Sequence, residues 1–223
     1  MVFSRSRGKP VSSMMVLSDL SEGSTVKISE NGSLIEFYVA KHGYEPSLNG
    51  NDRTLIVRKD CYDKRGWAIT GRSNAYASSE IDGWLNSTYK ELLDPYVKGV
   101  IGTTTFYYTP GNGNNSVSTL SRSVFLLSLS ELGWSSGTVS GINDEGSSFS
   151  FSTDLRLTYL NGASTAFWTR SPYTKNTYNV WVQQNNDWIG SALLYNSYGS
   201  RPCFTLPSDI KVSDNMIIGE GGV

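Results

Sequence analysis

A polar, aromatic stretch at residues 166–207 constrains this chain more than any other part of its sequence. It opens with WTRSP at 168–172 and closes with YGSRP near its end, at 198–202. The residues between these blocks are mostly Asn, Gln, Ser, Tyr and Trp, with Lys175 and Asp187 as the main charges. So polar a run cannot fill a core, yet it holds too many aromatic rings for a disordered linker. We therefore predict that the two blocks are scaffold and that the residues between them form a displayed binding surface.

The bulk composition favours a β-rich fold and argues against two classes of partner. Gly occurs 22 times in 223 residues, which is typical of short strands joined by many turns. Charged residues make up 17% and the formal net charge is −1, so a nucleic-acid partner or an acidic membrane surface is not expected. No apolar run approaches the length of a membrane span, so membrane insertion is not expected either. The basic, Ser-rich start of the chain predicts a flexible arm at residues 1–20. No linker divides the remainder, which predicts a single domain at 21–223.

Residues that commonly carry catalysis or bind metals are sparse. His42 is the only histidine, and nucleophile elbows, phosphate loops and HExxH motifs are missing from the sequence. Cys61 and Cys203 are compatible with one long-range disulfide, but the sequence favours two buried free thiols. Glu80 and Asp82 fit the first turn of a helix better than a glycosidase pair. We expect no enzymatic activity, no metal and no cofactor.

Local patterns predict a mixed α+β domain. Asn31-Gly32 lies between alternating runs at 25–28 and 34–40, which predicts a β-hairpin because both turn residues accept positive φ. The SSEID run at 78–82 starts with an N-cap candidate and leads into an apolar helical face. It predicts two short helices, or one bent helix, ending at Asp94-Pro95.

Short strands and long loops are expected in the following part of the chain. Residues 100–108 are consistent with a strand, and VFLL at 124–127 predicts a strand covered on both faces. Residues 110–116 and the Gly- and Ser-rich run 135–150 predict exposed loops. Residues 143–145 (NDE) are better explained as a solvated turn than as a cation site, since the spacing of a calcium loop is missing.

Several ordered blocks of the sequence resemble a widespread family in gut bacteria and their phages. These blocks are WTRSP at 168–172, NVW at 179–181 and YGSRP at 198–202, and the runs at 79–86 and 124–128 look like the same family. That family in turn resembles the C-type-lectin-like fold of formylglycine-generating-type domains and of the variable proteins of diversity-generating retroelements. Its Gly-x-Arg ending is matched within the last block. The resemblance implies a C-type-lectin-like fold of short twisted antiparallel strands, two short helices and long loops.

The same resemblance implies a non-enzymatic display protein that binds a protein or glycan receptor on a cell surface. Such proteins attach a phage tail tip to its host or lie on a bacterial surface, and the phage examples suggest a homotrimer. A mutagenic copying system replaces their exposed residues and favours Asn, Tyr, Ser, Thr and Asp. The residues predicted to bind ligand are Tyr173, Thr174, Asn176, Thr177, Tyr178, Gln184, Asn185, Asn186, Asp187, Trp188, Leu194, Tyr195 and Asn196. The predicted fixed frame is Trp168, Arg170, Asn179, Trp181, Gly190, Gly199, Arg201 and Pro202.

Physical reasoning about side chains supports a binding role for the same stretch. Tyr and Trp give large contact areas with few rotatable bonds, and Asn and Ser give adaptable hydrogen bonds, as in antibody loops. Rings and side-chain amides also suit sugar faces and hydroxyls. The alternatives are a structural phage or cell-envelope component with merely polar loops, and a fixed carbohydrate-binding module. Arg170 and Arg201 are expected to bind backbone carbonyls or a buried carboxylate, with an anion site as the alternative.

Overall fold

Two five-stranded sheets dominate the computed structural model, which describes residues 15–219. The fold is mixed α+β, with most regular residues in short strands. The strands are β1 (Met15–Val16), β2 (Thr25–Glu30), β3 (Ser33–His42), β4 (Arg53–Arg58), β5 (Asp63–Arg65), β6 (Thr104–Tyr108), β7 (Ser118–Arg122), β8 (Tyr159–Leu160), β9 (Ala163–Ser164), β10 (Phe167–Pro172), β11 (Asn179–Gln183), β12 (Ile189–Leu193), β13 (Tyr198–Ser200), β14 (Cys203–Pro207), β15 (Lys211–Val212) and β16 (Ile217–Ile218). The α-helices are α1 (Pro46–Asn49), α2 (Glu80–Trp84), α3 (Pro95–Val100) and α4 (Ser152–Leu155).

The first sheet has the strand order β14-β4-β3-β2-β16 and is built around the predicted hairpin. β2 and β3 pair antiparallel, with Thr25 opposite Tyr38 and Glu30 opposite Ser33. Asn31 and Gly32 both have positive φ, at 50° and 77°, which confirms the predicted turn. β16 pairs parallel to β2, so the end of the described chain closes one edge of this sheet.

The second sheet has the strand order β12-β11-β10-β13-β5 and contains the polar, aromatic stretch. β10, β11 and β12 form an antiparallel meander, and β13 lies parallel to β10 on its other side. Every residue of β10 is buried, so this strand is covered on both faces. β10 is therefore the rigid centre from which the neighbouring loops extend.

The predicted arm is too long at its C-terminal end. Residues 15–16 pair with β15, and a 3-10 turn follows at Leu17–Asp19. Leu17 is fully buried in a hydrophobic cluster that reaches Ile218. Apolar burial fixes residues 15–20 in the fold, whereas residues 1–14 of the predicted arm lie outside the described residues.

After residue 78 the sequence predicted two short helices or one bent helix, and the structure has one continuous helical segment. The Ser79 side chain accepts a hydrogen bond from the Asp82 backbone N–H and caps α2. α2 continues without a break into a π-helical turn at Leu85–Tyr89. The described helices outnumber the two expected, but each is only four to six residues long. None of the described helices has the length and apolar character needed to cross a bilayer.

Asp94-Pro95 begins a helix, which corrects the prediction that it only ends one. The Asp94 carboxylate accepts hydrogen bonds from the backbone N–H groups of Tyr96 and Val97, and Pro95 occupies the first turn of α3. The strand expected from residue 100 therefore starts later, at Thr104.

Residues 124–127 are buried as predicted, but they do not form a regular strand. The one β-bridge of this run is antiparallel and pairs Phe125 with Cys203. Side chains take over other backbone groups of this run. The Leu126 N–H donates to the Tyr76 hydroxyl, and its carbonyl accepts from the Arg170 guanidinium. Long-range side-chain bonds thus replace strand pairing here, and no local pattern reports them.

Candidate ligand-binding surface

Arg170 is a buried anchor at the centre of the predicted frame. Its guanidinium binds both carboxylate oxygens of Glu131, at 2.7 and 2.8 Å, and donates to the carbonyls of Tyr107 and Leu126. Burial acts to lower the pKa of Arg170, but the adjacent Glu131 carboxylate outweighs it and raises that pKa. The expected bonding to a buried carboxylate and to carbonyls is therefore confirmed.

Arg201 is a second buried anchor, without a carboxylate partner. It donates to the carbonyls of Arg58, at 2.8 Å, and Leu155, and its guanidinium stacks over the Phe167 ring at 5.2 Å. Burial lowers the pKa of Arg201. Because Arg170 and Arg201 are both fully enclosed, neither forms the solvent-accessible anion site that was the alternative.

The other frame residues hold the second sheet to its surroundings. The indole N–H groups of Trp168 and Trp181 donate to the carbonyls of Arg65 and Gly141, at 2.8 and 2.9 Å. At Gly199 an added Cβ would overlap Cys61 Sγ and lie 3.0 Å from the Ala166 carbonyl oxygen, so any larger residue would push β13 away from these neighbours. The remaining frame positions contact their neighbours as follows: Asn179 donates to Ser191 Oγ, Gly190 lies against the Gln184 amide, and the Pro202 carbonyl accepts from Arg58 N–H.

The predicted ligand-binding residues lie at the two ends of the β11–β12 pair. In the β11–β12 pair Asn179 lies opposite Leu193 and Gln183 lies opposite Ile189. The loops at 173–178 and 194–197 therefore flank one end of these strands. The turn at 184–188, called here the hairpin tip, lies at the opposite end. The two ends are roughly 13 Å apart, at about 3.3 Å of rise per residue.

At the first end, three exposed apolar side chains surround a cleft of about 630 Å³. The exposed fractions are 68% for Ile69, 54% for Tyr178 and 65% for Tyr195. The lining residues, which define the cleft, are Ile69, Thr70, Gly71, Arg72, Thr177, Tyr178, Leu193, Leu194 and Tyr195. Two of the predicted loops thus meet a third wall, residues 69–72, that sequence reasoning missed.

Backbone contacts hold the three walls of the cleft in place. The Leu194 carbonyl accepts from the N–H groups of Trp67 and Ala68, at 2.9 and 3.2 Å. The buried Asn74 amide donates to the carbonyls of Tyr173, Asn176 and Asn179. Residues 69–73 therefore bridge the two predicted loops, and the attachments use backbone carbonyls that any residue would supply.

A carboxylate supports the third wall from behind. Glu80 accepts hydrogen bonds from the Thr70 hydroxyl and backbone N–H, the latter at 2.9 Å. Both bonds hold the pKa of Glu80 below its ordinary value, and the bond from the Thr70 hydroxyl has the larger effect. Glu80 thus fixes Thr70, and its position in the first turn of α2 agrees with the sequence interpretation.

Several predicted ligand-binding residues at the cleft end have structural contacts instead. Leu194 lines the cleft, but its side chain is buried in the hydrophobic core and offers a ligand little surface. The Tyr173 ring packs edge-on against Trp181 at 5.2 Å, and the Asn176 side chain accepts from the N–H groups of Tyr178 and Asn179. Among the predicted residues here, Tyr178 and Tyr195 have the exposed rings. The half-buried residues are Thr174, Thr177 and Asn196.

The hairpin tip forms a separate aromatic patch. Trp188 is 62% exposed and its ring meets the edge of Trp134 at 6.0 Å. Arg156 stacks on Trp134 at 4.3 Å and forms an ion pair with Asp187 at 3.3 Å. Of the tip's polar residues, Gln184 is half-buried, whereas Asn185 and Asn186 are exposed.

Residues 143–145 correct the expectation of a solvated turn. Glu145 is fully buried, and its carboxylate accepts from the Thr109 N–H at 2.7 Å and the Ser171 hydroxyl at 2.6 Å. These donors compensate for the loss of water, so the loop folds back onto β10. Burial raises the pKa of Glu145.

The histidine, the cysteines and the metal-binding residue types have structural settings in the described part of the chain. Residues 15–219 contain no group of three or more His, Cys, Asp and Glu side chains placed to hold a metal ion. His42 is half-buried and bonds to Thr54 and the Leu20 carbonyl. Cys61 and Cys203 are both buried, as expected, and burial raises the pKa of each thiol.

Residues 69–74 had little sequence signal. Ile69 ends the short apolar run Trp67-Ala68-Ile69, and the residues after it, Gly71-Arg72-Ser73-Asn74, have a composition shared with ordinary exposed loops. Their role depends on contacts about 100 residues further along the chain, such as Asn74 to Asn176. Such contacts do not follow from local composition.

Comparison with known proteins identifies the family but supplies no activity. No curated protein and no solved structure matches the chain. A family profile described as a domain of unknown function, DUF6273, matches residues 51–208. The matched region includes the frame, the cleft and the hairpin tip. Because it spans more than half of the sequence, the chain belongs to the DUF6273 family.

Proposed function

We propose that this protein is a non-enzymatic, receptor-binding display protein that binds its ligand in the cleft. Its fold would be C-type-lectin-like, and its location a phage tail or a bacterial surface. The observation that carries the proposal is the convergence of Ile69, Tyr178 and Tyr195, all mostly exposed, around one cleft of about 630 Å³.

The size and composition of the cleft favour a ligand. Binding sites for small molecules commonly fall between about 300 and 1,000 Å³, with apolar walls and a few polar groups. Large apolar side chains exposed together mark interaction surfaces more often than those scattered singly. Tyr178 and Tyr195 also give rigid contact area at low entropic cost, as tyrosines do in antibody loops.

The way the walls are held supports a surface with replaceable contacts. The attachments run through the carbonyls of Tyr173, Asn176, Asn179 and Leu194, so substitution of their side chains leaves the acceptors in place. Tyr178 and Tyr195 project from these walls and can vary without moving them. This arrangement is what a protein diversified by a retroelement requires, and a homotrimer would add avidity by presenting several clefts.

Binding assays on glycan arrays and whole bacteria test the proposal. The Tyr178→Ala/Tyr195→Ala variant removes both exposed rings at the cleft. Trp188→Ala is the matched control, because it removes an equally exposed ring from the hairpin tip. Losing two central aromatic contacts is expected to weaken binding by tenfold or more, at about 1 kcal/mol or more for each ring. The control is expected to bind as the wild type does.

Two outcomes would overturn this assignment. Unchanged binding by the double variant, with loss in Trp188→Ala, would move the site to the hairpin tip. Wild-type protein that binds neither the glycan arrays nor the whole bacteria would favour a structural phage or cell-envelope component. Gene copies from related strains separate a diversified protein from a fixed carbohydrate-binding module, since only the former concentrates substitutions at Tyr178, Tyr195 and their exposed neighbours.

A further inference from the structure

Arg72 differs from the other arginines of the described chain. The remaining seven all have protein acceptors. Four of them pair with Glu30, Asp63, Asp82 and Glu131, one pairs with Asp187, and two bind backbone carbonyls. Among residues 15–219 no carboxylate lies within ion-pair distance of Arg72, which is exposed and lines the cleft. Its fork of N–H donors is therefore available to a ligand.

The charge balance of the cleft favours an anion. Arg72 is the only charged residue among the nine lining residues, and none of them is acidic. The carboxylate of Glu80, which supports this wall, accepts hydrogen bonds from the Thr70 hydroxyl and N–H. A guanidinium binds a carboxylate through two parallel hydrogen bonds, which fixes orientation as well as adding affinity.

The position of Arg72 in the third wall is set by the fold. The Trp67 and Ala68 N–H groups attach this segment to Leu194 on one side. Asn74 attaches it to the 173–179 loop on the other. Arg72 and Tyr178 thus lie on neighbouring walls of the same cleft. A ligand that contacts the tyrosine rings has the guanidinium within the same cleft.

We propose that the cleft binds an acidic saccharide, with Tyr178 and Tyr195 against the apolar face of the sugar ring and Arg72 on its carboxylate. A carboxylated sugar carries an apolar face and an anion at a fixed distance from each other, which matches rings and guanidinium held on fixed walls. An acidic peptide side chain offers the anion on a flexible stem without the ring. The inference rests on the proposed binding role of the cleft and specifies its ligand class.

Paired saccharide probes test the ligand class. The probes are oligosaccharides ending in glucuronate, galacturonate or sialate, each compared with its carboxyl-reduced neutral form. Wild-type protein is expected to bind at least one acidic form about tenfold or more tightly than its neutral partner, the value of a charge-assisted hydrogen bond. Arg72→Gln is expected to remove that preference, and Arg72→Lys to keep part of it. Lys175→Gln, which removes an exposed charge outside the cleft lining, is expected to keep it in full.

The opposing results separate the ligand class from the binding role. Equal binding of acidic and neutral forms, or a preference that survives in Arg72→Gln, overturns the acidic saccharide but leaves the cleft as a binding site. Binding of an acidic peptide library in place of the saccharides does the same. If the Tyr178→Ala/Tyr195→Ala variant matches the wild type on every probe, the proposed role of the cleft itself fails.

Discussion

Glu145 shows how single buried groups hold a long loop against the frame. Its carboxylate lies beside β10, where the Ser171 hydroxyl and Thr109 N–H donate to it. Burial raises the pKa of Glu145, although Arg170 and these hydrogen bonds act in the opposite direction. The charged form is therefore less favourable in the folded chain than in the unfolded chain.

Glu145→Gln is expected to change the pH dependence of stability. Because the folded pKa lies above the ordinary value of 4.5, ionising Glu145 lowers the free energy of unfolding. This cost is absent below pH 4.5, grows as the pH rises towards the folded pKa and is constant above it. A neutral amide avoids it, so the variant should gain stability relative to wild type between pH 4 and pH 8 in denaturant titrations.

Glu91→Gln is the control for that experiment, because Glu91 is exposed and its ion pair with Lys98 lies at the surface. A wild-type-to-Glu145→Gln difference that stays constant across this pH range would contradict the buried, ionisation-sensitive role assigned to Glu145.

At the scale of elements, the segment between β5 and α2 connects the cleft walls. Asn74 supplies three of the connections through its side-chain amide, and its backbone N–H donates a fourth to the Thr177 carbonyl at 2.8 Å. The 173–178 loop contains no strand or helix of its own, so its shape depends on such contacts. This dependence makes Asn74 the residue whose loss should loosen the cleft most.

Asn74→Asp is expected to cost about 1–3 kcal/mol of stability, because it removes the donor from buried carbonyls and adds a negative charge beside them. Hydrogen exchange of residues 173–179 should accelerate. Asn115→Asp is the matched control, since Asn115 is exposed and donates only to the Thr174 carbonyl. Its expected change is within about 0.5 kcal/mol. Equal effects of the two variants on exchange would show that Asn74 does not organise the loop.

Elements with local signals were predictable from the sequence. The Asn31-Gly32 turn and the Ser79 cap each depend on residues within a few positions of each other, and both were confirmed. Asp94-Pro95 was ambiguous, because proline both ends a helix and favours the first turn of the next. Arg170 was predictable in kind, as a buried extended residue needs acceptors, but its partner Glu131 was not.

The candidate site was predictable only in part. Tyr178 and Tyr195 were predicted from the family resemblance, with support from composition, and both are exposed at the cleft. Leu194 lines the cleft, but its side chain is buried by packing against distant residues, which the local sequence does not report. Whether the polar segments form one surface depends on where β11 begins and ends, and the sequence there has no clear alternation. The third cleft wall depends on contacts across the whole chain.

At the scale of the whole molecule, the frame separates two surfaces of similar composition. The cleft lies at one end of β11 and β12, and the hairpin tip with Trp188 lies at the other. A display protein of the proposed kind presents one end to its receptor. The tip has its exposed ring packed against Trp134 and its acid paired with Arg156, whereas the cleft has two exposed tyrosines and Arg72, which pairs with no carboxylate of residues 15–219. The cleft is therefore the end expected to face the receptor.

Hydrogen exchange with and without the tightest-binding oligosaccharide from the array tests this central claim most directly. Bound ligand is expected to slow exchange at residues 69–72, 177–178 and 193–195, which line the cleft. Exchange at residues 184–188 is expected to stay unchanged, because the hairpin tip lies at the opposite end of the strands. Slowed exchange confined to residues 184–188, with the cleft unchanged, would contradict the account.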